Sequence, residues 1–372
     1  MNKVAILSFH STDNHGAVLQ NYALQIAIKD LGFHAETLDY HSEGAGSGYP
    51  TYYWPKNANS IGEFFVKLTR YARNYRKKMI RQAAFQSFRN TYLTLTKEMT
   101  KRDLPALDGQ YDVFIVGSDQ VWNINIIKED EVDVFTLQFV HSGKRAAYAA
   151  SAGSSSNVPP PLLERIPTLD YISVREHSLK EWLEQNGVPN VHDVCDPVLL
   201  LEKERWKQLL PIADPHKKPY VFAYFVNSND ICKLARDIAA KRNLEIRHVD
   251  KIKTHTAGFG TGHNEADPVE FLSYIAYAET VVLTSFHGLA FSIIFEKDFF
   301  VVHCPPMEDR TRDLLAALGL SERGFDSYEE YCLRKDSIQP IDYRAVKEKL
   351  AGLRKSSMNK LRDICNLPEC HT

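Results

Sequence analysis

Short runs of β-branched and aromatic residues alternate along the chain with stretches whose apolar positions recur every three to four residues. Strands are expected at Val4–Ser8, Val113–Val116, Ala146–Ala150, Tyr171–Val174 and Val191–Val194. Helical periodicity fits Ala17–Leu31 and Glu176–Asn186, with Gly187 placed to end the second. The stretch from Pro211 to Pro219, holding Asp214-Pro215-His216-Lys217-Lys218, reads as a linker. Beyond it a second set begins: strand Val221–Val226, a helix near Ile231–Lys241, strand Glu245–Val249, then a loop with Gly258, Gly260 and Gly262. Asp267-Pro268-Val269-Glu270 has the order of a helix start, with Asp as cap, Pro first and Glu third. A fully apolar strand, Thr280–Thr284, is followed by a helix burying Leu289, Phe291, Ile293 and Ile294, and by strand Phe299–Val302. Residues 341–366 are helix-rich, with Val346, Leu350, Leu353, Met358 and Leu361 at helical intervals. Strand–helix alternation of this kind predicts parallel α/β sheets.

Length turns this pattern into two units. A chain of 372 residues corresponds to about two domains at roughly 150 residues each. The expected division is an N-terminal domain over 1–212, a second over 213–325 and a helical tail over 326–372. With 44% hydrophobic and 25% charged residues the chain can bury large cores. A net charge of −2 lacks the basic excess of a nucleic-acid binder. The opening apolar run Val4-Ala5-Ile6-Leu7 is too short for a signal peptide, and no stretch approaches the roughly 20 apolar residues that span a bilayer. Six cysteines (195, 232, 304, 332, 365 and 370) are scattered without a paired spacing. Cys365, Cys370 and His371 fall together in what reads as a frayed tail. A reducing cytoplasm is the expected compartment. No His/Asp/Glu group has ligand spacing along the chain, so neither a metal nor a redox cofactor is expected.

Charge is uneven in one place. Residues 61–90 carry Lys67, Arg70, Arg73, Arg76, Lys77, Lys78, Arg81 and Arg89 against the single acid Glu63. Phe64, Phe65, Leu68, Tyr71 and Tyr75 add an apolar stripe at helical spacing. Two readings fit: a long solvated helix packed on the N-terminal domain, or a surface for anionic lipid or the diphosphate of a lipid-linked glycan.

The chemistry concentrates where strands end. His287, in Ser285-Phe286-His287-Gly288, stands at the C-terminal end of one parallel strand and the N-terminus of the next helix. Ligands bind there in open α/β sheets, and a helix N-terminus offers free N–H groups to an anion. The alternative is a turn that merely closes a corner, its His bonded to backbone.

Four segments in order resemble the polysaccharide pyruvyl transferase family: Asn14-His15-Gly16-Ala17-Val18-Leu19-Gln20-Asn21-Tyr22-Ala23-Leu24, Val116-Gly117-Ser118-Asp119-Gln120-Val121-Trp122-Asn123, Ser173-Val174-Arg175-Glu176-His177-Ser178 and Thr284-Ser285-Phe286-His287-Gly288. The resemblance spans about residues 3 to 320. It implies a GT-B-like fold of two Rossmann-like domains facing a cleft, a phosphoenolpyruvate donor and a glycan acceptor in cell-surface polysaccharide synthesis. In such folds the last helix commonly returns to the N-terminal domain. Two other functions stay open, a nucleotide-sugar glycosyltransferase and a non-catalytic glycan binder. The first would need a carboxylate for the donor ribose, and Ser285–Leu289 holds none.

Ketal formation requires protonation of C3 of the enol, attack on C2 by two sugar hydroxyls and expulsion of phosphate. His287 is the expected acid/base, since an imidazole titrates near neutrality. Arg175, between a strand and a helix, is expected to grip the donor carboxylate or phosphate; its alternative is an ion pair with a neighbouring helix carboxylate. Many family members carry an Arg where this chain has Ser285; either the serine hydroxyl and the helix N-terminus suffice, or Arg310 or Arg312 replaces it, with Arg312 favoured. Ser285, Phe286 and Gly288 complete the expected donor side. The acceptor side is drawn from Asn14, His15 and Gly16, with His10 in the same loop, and from Gln120, Trp122 and Asn123, and Asp119 is placed to take the acceptor proton. Trp122 fits a buried core position equally well, and His15 and Asp119 fit equally as loop-bracing side chains.

Overall fold

The computed structural model describes residues 2–42, 61–214, 216, 218–226, 228–250, 259–304 and 308–366, with no account of the side chains of 61–74, 250, 308 and 309. Gly258, Pro215, Lys217, Cys370 and His371 therefore lie outside it, as do the side chains from Glu63 to Arg73 in the basic segment.

Two six-stranded sheets, parallel throughout, form the framework. The first has the order β2-β1-β3-β4-β5-β6, with β1 Lys3–Leu7, β2 His34–Thr37, β3 Val113–Val116, β4 Lys144–Ala150, β5 Tyr171–Val174 and β6 Val191–Asp193. The second runs β12-β11-β10-β7-β8-β9, with β7 Tyr220–Phe225, β8 Glu245–Asp250, β9 Thr261–Gly262, β10 Thr280–Leu283, β11 Asp298–Val302 and β12 Gly324–Phe325. The central strands are buried on both faces, which is why Val-Phe-Ile-Val and Thr-Val-Val-Leu read as continuous apolar runs. β2 is an edge strand of sequence His-Ala-Glu-Thr, held by parallel pairing of Lys3 to Ile6 with His34 to Thr37. It has no apolar run, and the periodicity gave no sign of it. The same holds for the two-residue edge strands β9 and β12.

The helix His15–Asp30 is buried nearly all round, as befits one wedged between two layers. Its Val18, Leu19 and Tyr22 join Tyr224, Phe271, Leu289 and Phe291 from the second half in one apolar cluster. Trp206 sits within it, fully buried, packed edge-on against Phe291 at 5.2 Å, with its Nε1 donating to the Val198 carbonyl. Truncating such a residue costs about 3–5 kcal/mol, so the two halves are fused by a core rather than a wet seam. The last helix, Tyr343–Cys365, spans them. Val346 and Leu350 pack in the shared cluster, while Leu361, Ile364 and Cys365 pack under the first sheet. Ser357 Oγ accepts from the Cys195 N–H, and Asn2 donates to the Cys365 carbonyl.

The basic segment forms the helix Ile61–Tyr92. Several of its described cations bond to the rest of the protein. Arg81 donates to the carbonyls of Asp13 and Asn264, Lys77 faces Glu265 at 3.3 Å, and Arg89 lies 3.5 Å from Asp13. No helix among the described residues is long and apolar enough to cross a membrane.

Candidate functional site

At the C-terminal ends of β3, β5, β6 and β10 the two halves bring charged side chains together. The β5 strand delivers Arg175, whose guanidinium is almost completely enclosed. Its Nε donates to Glu176 at 2.8 Å, one terminal nitrogen donates to Asp196 at 2.6 Å, and the other stands 3.7 Å from Asp119. The Phe286 ring covers its face at 4.9 Å. Burial opposes its charge, but Glu176, Asp196 and Asp119 more than offset this and hold the guanidinium firmly protonated. Arg175 is thus largely committed to protein carboxylates, as in the ion-pair alternative read from the sequence.

Asp196 is wholly buried and caps the turn Pro197–Leu200 by accepting from the Val198 N–H at 3.0 Å. Burial alone would push its carboxyl up; His287 and Arg175 instead hold it far below the usual carboxylate range. His287 comes from the other half. Ser285 caps the helix Phe286–Ile294, and His287, on its first turn, places Nε2 3.3 Å from Gln20 Oε1 and 3.6 Å from Asp196. Gln20, fully buried on the first helix, also accepts from Arg175 at 3.4 Å. Asp119, three residues beyond β3, has a left-handed φ of 82°, a conformation that costs a non-glycine residue of order 1 kcal/mol and clusters at functional sites.

The second cation here is Arg310, buried near the start of the helix Glu308–Leu318. Burial lowers its pKa first and the charge of Arg175 second, while Glu176, Asp119 and Asp196 draw it back up. It therefore shares this electrostatic environment. Its Nε has no hydrogen-bond partner among the described residues, and neither do Gln20 Nε2, Arg175 Nη2 and Glu176 Oε2. Buried polar atoms normally have one. Arg312, two residues on, is half-exposed and pairs with Asp326 on the surface; the arginine that the fold turns inward is Arg310.

The remaining sequence candidates separate into two groups. Gly16 touches His287, and Phe286 touches Arg175. Gly288 lies against Tyr224, where a Cβ would come within 2.9 Å of the ring. The others are braced inside the structure. Ser285 Oγ is engaged as a helix cap, and Asn14 Oδ1 accepts from the Gly16 N–H. His15 stacks on Phe271 at 4.4 Å and bonds the Ala266 carbonyl. Trp122 is a core residue, its Nε1 bonded to the Phe135 carbonyl, so its ring presents no face to a sugar. Gln120 and Asn123 bond each other at 2.7 Å. Gln20, Glu176 and Asp196 did not stand out in the sequence as site residues, although Asp196-Pro197 repeats the Asp-Pro helix start seen at Asp267. Two surface grooves, of about 540 and 690 Å³, share no residue with this cluster.

The family model for polysaccharide pyruvyl transferases matches residues 14–303. The chain belongs to that family. Both sides of the cluster, from Gln20 to His287, fall inside the matched span. No curated protein matches the sequence. Among solved structures, the fold is similar to UDP-GlcNAc 2-epimerase from Methanocaldococcus jannaschii, at TM-score 0.50 and 12% identity over 95% of this chain and 100% of that one. It is likewise similar to S. aureus MnaA in its UDP co-structure, at TM-score 0.52 and 11% identity over 99% and 98%. At such identities the likeness concerns the fold, which is GT-B-like with two parallel-sheet α/β units.

Proposed function

We propose that this family member transfers the pyruvyl unit of phosphoenolpyruvate to two hydroxyls of a sugar, forming a cyclic ketal and releasing phosphate. What supports this reading is the buried cluster in which a helix-borne histidine, Arg175 and three carboxylates from the matched region meet Arg310, which lies just beyond it. His287 gives a proton to C3 of the enol, which becomes a methyl group, and leaves C2 cationic. One sugar hydroxyl attacks C2 and loses its proton to Asp119. Phosphate departs with the C2–O bond electrons, and the second hydroxyl closes the ring at C2. Of the two hydroxyl protons, one balances that added to C3 and the other leaves with phosphate.

Arg310 is the cation available to the donor's anionic groups, helped by the N-terminus of the helix Phe286–Ile294. Arg175 acts through others: it fixes Asp119, Glu176 and Asp196 relative to one another. Asp196 and Gln20 orient the His287 ring. The glycan enters from the side of Asp119. The test is incubation with phosphoenolpyruvate or a nucleotide sugar and candidate glycans. Glycan-dependent release of phosphate from phosphoenolpyruvate is the expected result. Release of free nucleotide would indicate a glycosyltransferase, and binding without turnover a glycan-binding protein.

A further inference from the structure

A second polar cluster lies on the outer strands of the first sheet, away from His287. His10 follows β1, and Asp39 and His41 follow β2. Parallel pairing of these two strands brings the residues together. Nε2 of His10 and Nε2 of His41 each lie 2.8 Å from the same oxygen, Asp39 Oδ1. The three ligand-type atoms are all within 4.8 Å of one another. His10 is completely buried, while His41 is about half-exposed at 51%. The Asp39 backbone is fixed by the Thr96 hydroxyl at 2.9 Å.

The second ring nitrogen of His10 faces the Ser8 carbonyl at 3.3 Å. A proton on Nδ1 directed at a carbonyl leaves Nε2 as a lone pair, the arrangement by which metal-binding histidines are held. With the proton on Nε2 instead, the 2.8 Å contact to Asp39 is a hydrogen bond; with it on Nδ1, Nε2 and the carboxylate oxygen both present lone pairs, which a cation between the two atoms satisfies. Around a four-coordinate ion with bonds of about 2.0–2.1 Å, ligand atoms stand roughly 3.3 Å apart. Spreading the two 2.8 Å contacts by about half an ångström, with the two imidazole nitrogens, now within 4.8 Å of each other, adjusted to the same spacing, accommodates one. We propose that His10, Asp39 and His41 form a site for a first-row divalent ion of the zinc class, with the half-exposed His41 on its outer side.

Two imidazoles and one carboxylate suit Zn²⁺ and its neighbours rather than Mg²⁺ or Ca²⁺. The Ser8 hydroxyl donates to the Ser118 carbonyl at 3.1 Å, so the loop that holds His10 abuts the turn that carries Asp119. An ion here lies beside the acceptor edge of the proposed reaction, outside the cluster that handles the donor.

The test is calorimetric titration of Zn²⁺ into untagged, chelator-stripped full-length protein, alongside His41→Ala and Asp39→Asn, with Mg²⁺ as control. One stoichiometric Zn²⁺ is expected for the parent. Affinity should fall at least about a hundredfold in His41→Ala, beyond the range caused by losing an outer-shell partner. His41 is exposed enough for this variant to fold, and matching thermal unfolding of the stripped proteins checks that it does. Absence of stoichiometric binding, or equal binding by parent and His41→Ala, overturns the site.

Discussion

The imidazole of His287 rests on the Cα of Gly16, a residue from the opposite half of the protein. A methyl group at position 16 would lie 2.1 Å from Nδ1 and 2.5 Å from Cγ of that ring. Gly16 is therefore required by close approach, since no positive φ is involved. Its partners along the same helix are also committed to the seam, with Gln20 one turn further on meeting His287 Nε2. The helix face that reads Gly16-x-x-x-Gln20 thus forms the floor under the histidine.

Gly16→Ala should accordingly displace the ring. We expect turnover to fall to the level of His287→Ala, itself reduced at least about a hundredfold as for a lost acid/base. Steady-state assays on both variants, with circular dichroism to confirm folding, make the comparison. Near-parent turnover in a folded His287→Ala would remove this residue from the mechanism.

Arg310 and Arg312 separate in a titration with phosphoenolpyruvate. Arg310→Ala should weaken donor binding by roughly tenfold or more, the scale of about 1–3 kcal/mol for a buried charged hydrogen bond. Arg312→Ala removes a surface pair with Asp326 and should bind as the parent does. Equal affinities for Arg310→Ala and the parent would place the donor elsewhere.

Asp196→Ala should be costly to the fold. It strips one carboxylate from the fully buried Arg175 and also deletes the cap of the turn Pro197–Leu200. Breaking a buried pair from one side costs about 3–5 kcal/mol. Urea unfolding should show a loss of that size, and a shift under about 1 kcal/mol would mean that Glu176 and Asp119 hold Arg175 unaided.

His303 gives a pH signature. Burial first and the charge of Arg312 second lower its pKa from 6.5 to about 4. Above pH 6.5 neither state carries this proton. As pH falls from there toward 4, the unfolded chain binds a proton that the native ring refuses, so stability is lost across that window. The slope is at most about 1.4 kcal/mol per pH unit for one group. His303→Gln should flatten the decline between pH 6.5 and 4 in urea midpoints; a profile parallel to the parent's would show that other groups set it.

The central strands were legible because they are buried on both faces and read as unbroken apolar runs, and the turn at His287 was legible because it ends one of them. Asp196, Gln20 and Glu176 were not, because their significance lies in Arg175 and His287, which approach from distant parts of the chain. His10 and Asp39 illustrate the same limit. They are separated by 29 positions and meet through β2, a four-residue edge strand too short and polar for its alternation to stand out. At Trp122 the sequence left two readings open, because a sugar-stacking platform and a core anchor have the same composition; its complete burial selects the second.

The helix Tyr343–Cys365 also bears on the order of events during synthesis. Leu361, Ile364 and Cys365 fill the underside of a sheet whose first strand is Lys3–Leu7, yet the ribosome makes them after every strand of both sheets. The first half therefore waits, with an apolar face uncovered, until the second half has emerged. Nascent chains halted before this helix should be substrates for chaperones and proteases, and the two halves should reach full protease resistance together.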